Sequence, residues 1–219
     1  MTERSTTRSI LPDPLHRALR TQAQALSFGA LAHLLRQLLL QMGYTGVHVR
    51  RTRNKGRNGY VAGEKSAGGW DIEAAWETGI AAHRLIVQLR HYPGRAVQLR
   101  CVDELRGALA RARADHALLV TTGGFSPQAR EAADAGGAGG ELTLLDGDAL
   151  ARLLADWRVG LRQDPQGKRE VDVALFYRLA RQFPERTAPS PASSTGSASG
   201  KDGGDPPGAG VTVIVSLRP

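Results

Sequence analysis

Two short segments in the middle of the chain carry the residues best suited to chemistry. They are WDIE at positions 70–73 and LIVQLR at positions 85–90. Both are short, largely apolar and alternating, which predicts β-strands. Because residues two apart in a strand share a face, Gln88 and Arg90 should project side by side, opposite to Val87 and Leu89.

If the first strand pairs with the second, Asp71 reaches the same place. A carboxylate, an amide oxygen and a guanidinium would then converge, and oxygen ligands beside a cation suit a hard metal ion and a phosphate. The other interpretation is the solvated outer face of an ordinary β-hairpin. These ten residues alone do not decide between the two.

The overall charge favours an anionic partner. The chain has 219 residues, enough for one domain with a sizeable core and tails or for two small domains, and its formal net charge is +8. Such a charge is typical of nucleic-acid binding, with a membrane surface as a weaker alternative. The cations are nearly all arginine, which suits bidentate phosphate contacts, although base bias in a genome also enriches arginine.

The cysteine content and the hydropathy bear on the compartment. Cys101 is the single cysteine, which excludes an internal disulfide and a cysteine-based zinc site and indicates a reducing compartment. No apolar run approaches the roughly 18 residues of a membrane helix, and no signal-peptide core is found near the first residue. We therefore expect a cytoplasmic protein that has no membrane partner.

A basic segment precedes Asp71. This segment, 50–57, contains five cationic side chains, and the first acidic residue after it is Glu64. It is either a solvated loop or, given its length, its glycines and its position, a loop that contacts phosphates. The five candidate DNA-binding residues are Arg50, Arg51, Arg53, Lys55 and Arg57.

The remaining periodicity predicts an α/β fold. Ser27 and Gly43 are expected to cap and end a helix over 28–42. The predicted order is α-β-β-β-α-β-α-β-α, which implies a mixed central sheet with helices on both faces. The further elements are strands at 47–49, 70–73, 85–90, 116–121 and 141–145, and helices that begin near 102, 127 and 147.

Composition divides the chain into five segments. Residues 1–26 form a partly helical N-terminal extension, and residues 27–160 form the main domain. Residues 161–184 contain a further helix, expected over 171–182. Residues 185–210 are rich in proline, serine and glycine and are predicted to be a disordered linker. The tail, 211–219, has the residue pattern of a strand. It either adds to the edge of a sheet, in this protein or in a partner, or is unstructured.

Seven segments between residues 28 and 155 occur together in an order and spacing that resemble those of Mrr-like restriction endonuclease domains. These domains form a type IV restriction-like branch of the PD-(D/E)xK nuclease superfamily. The matching segments are LLQMGY at 39–44, VHV at 47–49, GGWDIEA at 68–74, VQLRHY at 87–92, VDELRGAL at 102–109, LLVTTGGFS at 118–126 and LLDGDAL at 144–150.

The resemblance implies a catalytic site. The family's carboxylate falls on Asp71, and its Gln-x-Lys motif falls on Gln88 and Arg90, so Asp71 would bind Mg²⁺ or Mn²⁺, Gln88 would either add an oxygen ligand to that metal or orient the attacking water, and Arg90 would hold the scissile phosphate. Arginine stands where lysine is usual; it can stabilise a developing negative charge but cannot act as a base or proton donor. Gly29 also replaces a glutamate that many members carry in the first helix. Glu73 is either a supporting group beside Asp71 or a surface carboxylate.

The function implied is metal-dependent hydrolysis of phosphodiester bonds in double-stranded DNA, in restriction of foreign DNA. One alternative is a catalytically inactive DNA-binding module of the same fold, which the arginine at position 90 favours. Another is an adaptor that binds a protein through residues 211–217. A homodimer and a partner subunit that completes the site are both compatible with the sequence.

Overall fold

A five-stranded mixed sheet lies at the centre of the fold, in the strand order β1-β2-β3-β5-β7. The computed structural model describes residues 13–50, 69–135 and 140–184, all within the unit Met1–Thr187. Its strands are β1 (Thr45–Val49), β2 (Ile72–Thr78), β3 (Ala81–Arg90), β4 (Ala96–Val97), β5 (His116–Thr121), β6 (Gly124–Phe125), β7 (Glu141–Leu145), β8 (Leu161–Gln163) and β9 (Arg169–Val171). Its helices are α1 (Asp13–Ala25), α2 (Phe28–Gln41), α3 (Leu99–Ala112), α4 (Pro127–Asp134), α5 (Gly147–Asp156) and α6 (Val173–Gln182).

The directions of the strands confirm the predicted mixed α/β class. Strand β2 pairs antiparallel with β1 and with β3, whereas β3, β5 and β7 are parallel. Parallel neighbours need a crossover connection, which α3 supplies between β3 and β5 and α4 supplies between β5 and β7.

The helices cover both faces of this sheet. One core lies between the sheet and helices α1, α2, α5 and α6; from β3 it receives Leu85, Val87 and Leu89. The other core lies beneath α3 and α4 and receives Ile86 from the same strand. The alternation predicted for β3 is therefore confirmed, and it directs Gln88 and Arg90 toward the α3 side of the sheet.

Local capping explains where several helices begin. The Ser27 hydroxyl accepts the N–H of Ala30 at the start of α2, and Asp172 accepts the N–H of Leu175, so α6 begins at Val173 rather than at 171. Asp146 caps α5 in the same way. Burial alone would raise the pKa of the Asp146 carboxyl, but hydrogen bonds from Ala149 and Arg130 hold that pKa below its ordinary value.

Two small sheets were not predicted. Strands β4 and β6 pair in parallel, and β8 and β9 form an antiparallel hairpin. Each of these strands has only two or three residues, too few to show a periodicity. Helix α3 also begins at Leu99, earlier than the apolar pattern indicates. Its first two residues are exposed, so they are not part of the apolar stripe from which the helix was predicted. Within the described part of the chain, no helix is both long and apolar enough to cross a membrane.

Candidate active site

A main-chain hydrogen bond holds Asp71 against β3, at the residue that precedes Gln88. Ile72, the first residue of β2, pairs with Val87, and the N–H of Asp71 donates to the carbonyl of the same Val87 at 2.7 Å. Asp71 and Gln88 are 4% and 2% exposed. Both residues are thus buried, and the convergence of their side chains stays a prediction.

Hydrogen bonds fix the position of Asp71 on both sides. Its Oδ2 accepts the main-chain N–H of Leu89 at 2.7 Å, a charge-assisted bond that holds the carboxylate against β3. Its carbonyl oxygen accepts the N–H of Arg50 at 2.8 Å, at the end of β1. The carboxylate thus has a defined orientation, as a metal-binding group requires.

Gln88 contributes an oxygen that the described residues do not satisfy. Its Oε1 is fully buried and has no hydrogen-bond partner among them, and a buried acceptor without a partner costs free energy. An amide oxygen is also a regular ligand of hard cations. The described residues contain no group of three or more histidine, cysteine or acidic side chains that could hold a metal. A metal here would therefore be bound by Asp71 and Gln88 with water or substrate oxygens.

Arg90 follows Gln88 on the same face of β3. Its side chain is only 7% exposed, and its NH2 lies 3.6 Å from Oε2 of Glu104 on α3. Its NH1 makes a long hydrogen bond of 3.4 Å to the carbonyl of Leu89. The other carboxylate oxygen of Glu104 binds Arg100 at 3.1 Å, four residues earlier on the helix. The guanidinium of Arg90 is thus buried and forms an ion pair with Glu104.

Glu104 is the residue that the sequence did not reveal. Its spacing from Arg100 indicates an ordinary pair on a helix surface. Its contact with Arg90 depends on how α3 crosses the sheet, which no local pattern encodes.

Arg50, Trp70 and Glu73 form a cluster at the edge of the site. Trp70 donates its indole N–H to Oε1 of Glu73 at 2.7 Å. The guanidinium of Arg50 lies over the Trp70 ring at 4.5 Å from its centroid, and its Nε is 3.6 Å from the same Glu73 oxygen. One set of contacts therefore joins Arg50 to Trp70, which precedes Asp71 in the chain, and to Glu73, which follows it. The other candidate DNA-binding residues, Arg51, Arg53, Lys55 and Arg57, lie outside the described residues.

Gly69 lets the backbone just before Asp71 pass close to α3. Its φ is +92°, and a Cβ there would approach the Cβ of Ala108 on α3 to 3.2 Å. Only glycine takes this conformation readily. The residue therefore brings the Trp70–Asp71 backbone close to α3.

An apolar cavity of about 400 Å³ lies on the opposite face of the sheet. It is enclosed mainly by leucines of α2 and by neighbouring strands, with Tyr44 and Trp76 among its walls. None of Asp71, Gln88 and Arg90 lines it. Because His116 is the one ionisable side chain other than Tyr44 among its lining residues, the α3 side is the better candidate for phosphate chemistry.

Comparisons with known proteins identify relatives of this fold. The Mrr_cat family model, described as "Restriction endonuclease", matches residues 23–154. The solved structure of the DNA modification-dependent restriction endonuclease AspBHI is similar with a TM-score of 0.51 and 19% identity, covering 79% of this chain and 41% of that one. The MspJI restriction endonuclease in complex with a 27-mer oligonucleotide aligns with a TM-score of 0.45 and 18% identity, covering 78% and 35%.

The chain spans less than half the length of either of these two structures. No curated protein matches it.

Proposed function

Because the chain belongs to the Mrr_cat restriction endonuclease family, we propose that it is an endonuclease that hydrolyses phosphodiester bonds of double-stranded DNA with the help of Mg²⁺ or Mn²⁺. Asp71 and Gln88 would bind the metal ion, and Arg90 would bind the scissile phosphate. Arg50 and the basic residues that follow it would bind neighbouring phosphates of the backbone, consistent with a formal net charge of +8.

The buried Oε1 of Gln88 is the single observation that carries this proposal. The carboxylate of Asp71 is held by the main-chain N–H of Leu89, the residue that follows Gln88 in β3. A hard cation would bind the amide oxygen and would also offset the charge of the carboxylate. These two oxygen ligands therefore fit such an ion. When bound, the ion would lower the pKa of a water molecule and stabilise negative charge on the phosphate.

Arg90 would position the phosphate and stabilise its developing charge. A guanidinium has five N–H donors in a rigid plane, and the two contacts to Glu104 and Leu89 use its NH2 and NH1 groups. The donors that remain can bind a phosphate oxygen. Since this cation is buried and held, it would need little reorganisation as charge develops.

We extend the proposal to the biological setting. Restriction of foreign DNA is the role that family membership supports. Cutting both strands of a duplex in one binding event would use two such sites, which a second copy of the chain or a partner subunit would supply. The single cysteine supports a reducing compartment such as the cytoplasm for this activity.

A nicking assay tests the proposal. Supercoiled plasmid is incubated with the protein and Mg²⁺ or Mn²⁺, with a chelator as the negative control. We expect nicking by the wild type, none by Asp71→Ala, and normal nicking by Asp103→Asn, which removes an exposed carboxylate from α3. Equal nicking by the wild type and by Asp71→Ala would show that Asp71 is not the metal-binding carboxylate.

A catalytically inactive DNA-binding module is the second candidate. The ion pair between Arg90 and Glu104 favours it, because a cation committed to a neighbouring carboxylate is less available to a phosphate. On this alternative the wild type binds duplex DNA without nicking it in either metal, and Arg90→Lys restores nicking.

A further inference from the structure

The backbone is irregular where it carries Asp71. The chain bends at Gly69 and again at Asp71, and the regular strand β2 begins only at Ile72. Trp70 and Glu73 are three residues apart, a separation that places side chains on opposite faces of a regular strand. Nevertheless, the indole N–H of Trp70 donates to Oε1 of Glu73 at 2.7 Å. This hydrogen bond therefore spans the bend that contains Asp71.

Trp70 is also anchored by other contacts. The residue is 9% exposed and packs in the core beneath α3, and the guanidinium of Arg50 lies 4.5 Å from the centroid of its ring. The main-chain N–H of the same Arg50 donates to the carbonyl of Asp71 at 2.8 Å. Arg50, which follows β1, thus contacts Trp70 with its side chain and Asp71 with its backbone.

The indole hydrogen bond is the strongest contact between these side chains. It is short and its acceptor is a carboxylate, so it is charge-assisted. The ion pair between Arg50 and Glu73 is longer, at 3.6 Å, and the two side chains are 35% and 34% exposed, so this pair contributes little. The bend therefore depends more on a hydrogen-bond acceptor at position 73 than on the charge of that residue.

We infer that Trp70 and Glu73 are positioning residues that hold the bend at Asp71 and so set the direction in which its carboxylate meets a divalent cation. The inference rests on the metal site in the proposed function, and it assigns Glu73 as a supporting group rather than a surface carboxylate. Without the indole bond, the segment before β2 takes other conformations, and the carboxylate loses the orientation that metal binding requires. Partners that orient a metal ligand typically change metal affinity by about 10- to 100-fold.

Binding of Mn²⁺ to the full chain without DNA, measured by titration calorimetry, tests the inference. Trp70→Phe keeps an aromatic ring beneath Arg50 and removes the indole N–H, and we expect Mn²⁺ affinity to fall about tenfold or more. Glu73→Met removes the acceptor and should have the same effect. Glu73→Gln keeps an acceptor oxygen without the charge, and its Mn²⁺ affinity should stay within about threefold of that of the wild type.

Two exposed positions supply matched controls. Glu77→Met removes a carboxylate from the exposed end of β2, and Trp157→Phe changes a tryptophan that is 40% exposed at the end of α5. Both controls should bind Mn²⁺ within about twofold of the wild type. The double variant Trp70→Phe with Glu73→Met should bind Mn²⁺ as weakly as either single variant, because both changes break one hydrogen bond.

The design separates positioning from a purely structural role. A purely structural role would lower the melting temperature and leave the Mn²⁺ affinity of the folded variants unchanged, so the titrations are made well below the melting temperatures, with folding checked by circular dichroism. The contrast between Glu73→Gln and Glu73→Met concerns a side chain that is 34% exposed. It therefore does not depend on whether Trp70→Phe folds.

The outcomes distinguish this inference from the function on which it rests. If Asp71→Ala abolishes Mn²⁺ binding but Trp70→Phe and Glu73→Met bind normally, the metal site stands and the positioning role is wrong. Equal weakening by Glu73→Gln and Glu73→Met would also overturn the role, because the charge of Glu73 rather than its hydrogen bond would then matter. If the wild type does not bind Mn²⁺, or if Asp71→Ala binds it equally well, the proposed metal site itself fails and the inference fails with it.

Discussion

The carboxylate of Asp71 accepts the main-chain N–H of Leu89 at 2.7 Å, so a side chain just before β2 satisfies a backbone donor of β3. This bond gives Asp71 a structural role as well as its proposed chemical role. The two roles can be separated by substitution, since an amide oxygen can accept the same hydrogen bond but carries no charge.

Asp71→Asn and Asp71→Ala should therefore differ in stability and agree in activity. Asparagine keeps an acceptor for Leu89, whereas alanine leaves a buried donor unpaired, at a cost of about 1–3 kcal/mol. Each kcal/mol lost shifts the melting temperature of a chain of this size by roughly 2–4 °C, so thermal unfolding distinguishes the two variants. We expect both variants to lose metal-dependent nicking and to keep DNA affinity. A nicking-competent Asp71→Asn would contradict the metal assignment.

Gln88→Met should stabilise the protein or leave its stability unchanged while removing Mn²⁺ binding. Methionine has a similar volume and removes the buried oxygen that lacks a partner, and such a replacement is nearly neutral or favourable for folding. Gln88→Glu is the matched opposite, because a second carboxylate should tighten Mn²⁺ binding. Calorimetric titration and melting temperature report the two effects separately. Unchanged Mn²⁺ binding by Gln88→Met would exclude Gln88 as a ligand.

Substitutions of Arg90 should change nicking more than DNA affinity. Arg90→Ala removes the cation at the scissile phosphate, and we expect a loss of about 10²-fold or more in rate. Arg90→Lys restores the ammonium usual in the family and should preserve or raise the rate. Arg100→Ala, on the exposed part of α3, is the control. Nicking by Arg90→Ala at the wild-type rate would place the phosphate elsewhere.

The basic segment after β1 should govern how DNA affinity depends on salt. Changing Arg51, Arg53, Lys55 and Arg57 to glutamine should weaken binding and reduce the log–log salt slope by about 0.9 for each lost contact with duplex DNA. A control set of exposed cations lies in the β8–β9 hairpin and α6, namely Arg162, Lys168, Arg169 and Arg178. An effect of equal size from the control set would show that the attraction is non-specific.

Acid should weaken the cap of α5. Because the folded pKa of Asp146 lies below its ordinary value of 3.8, its ionised form stabilises the fold above that value, and this contribution is lost as the pH falls through the folded pKa. Asp146→Asn keeps a capping side chain but does not titrate. We expect its melting temperature to be lower than that of the wild type at pH 7 and the gap to narrow toward acid. A gap that does not depend on pH would contradict this.

The sequence by itself determined the parts of this protein that depend on local periodicity. The alternation of β3 placed Gln88 and Arg90 on one face, and capping residues such as Ser27 marked where helices begin. Both signals come from neighbours in the chain, whose spacing is set by the geometry of strands and helices. The predicted order of the main elements is confirmed for the same reason.

Only the tertiary structure decided how distant residues meet. The hydrogen bond of Asp71 to Val87, the contact of Arg90 with Glu104 and the stacking of Arg50 on Trp70 each join different parts of the chain. Such contacts depend on strand pairing and on the way α3 crosses the sheet, which are set by the packing of the whole core. A carboxylate on a helix surface and one that compensates a buried arginine look alike in the sequence, because their difference lies in burial rather than in spacing.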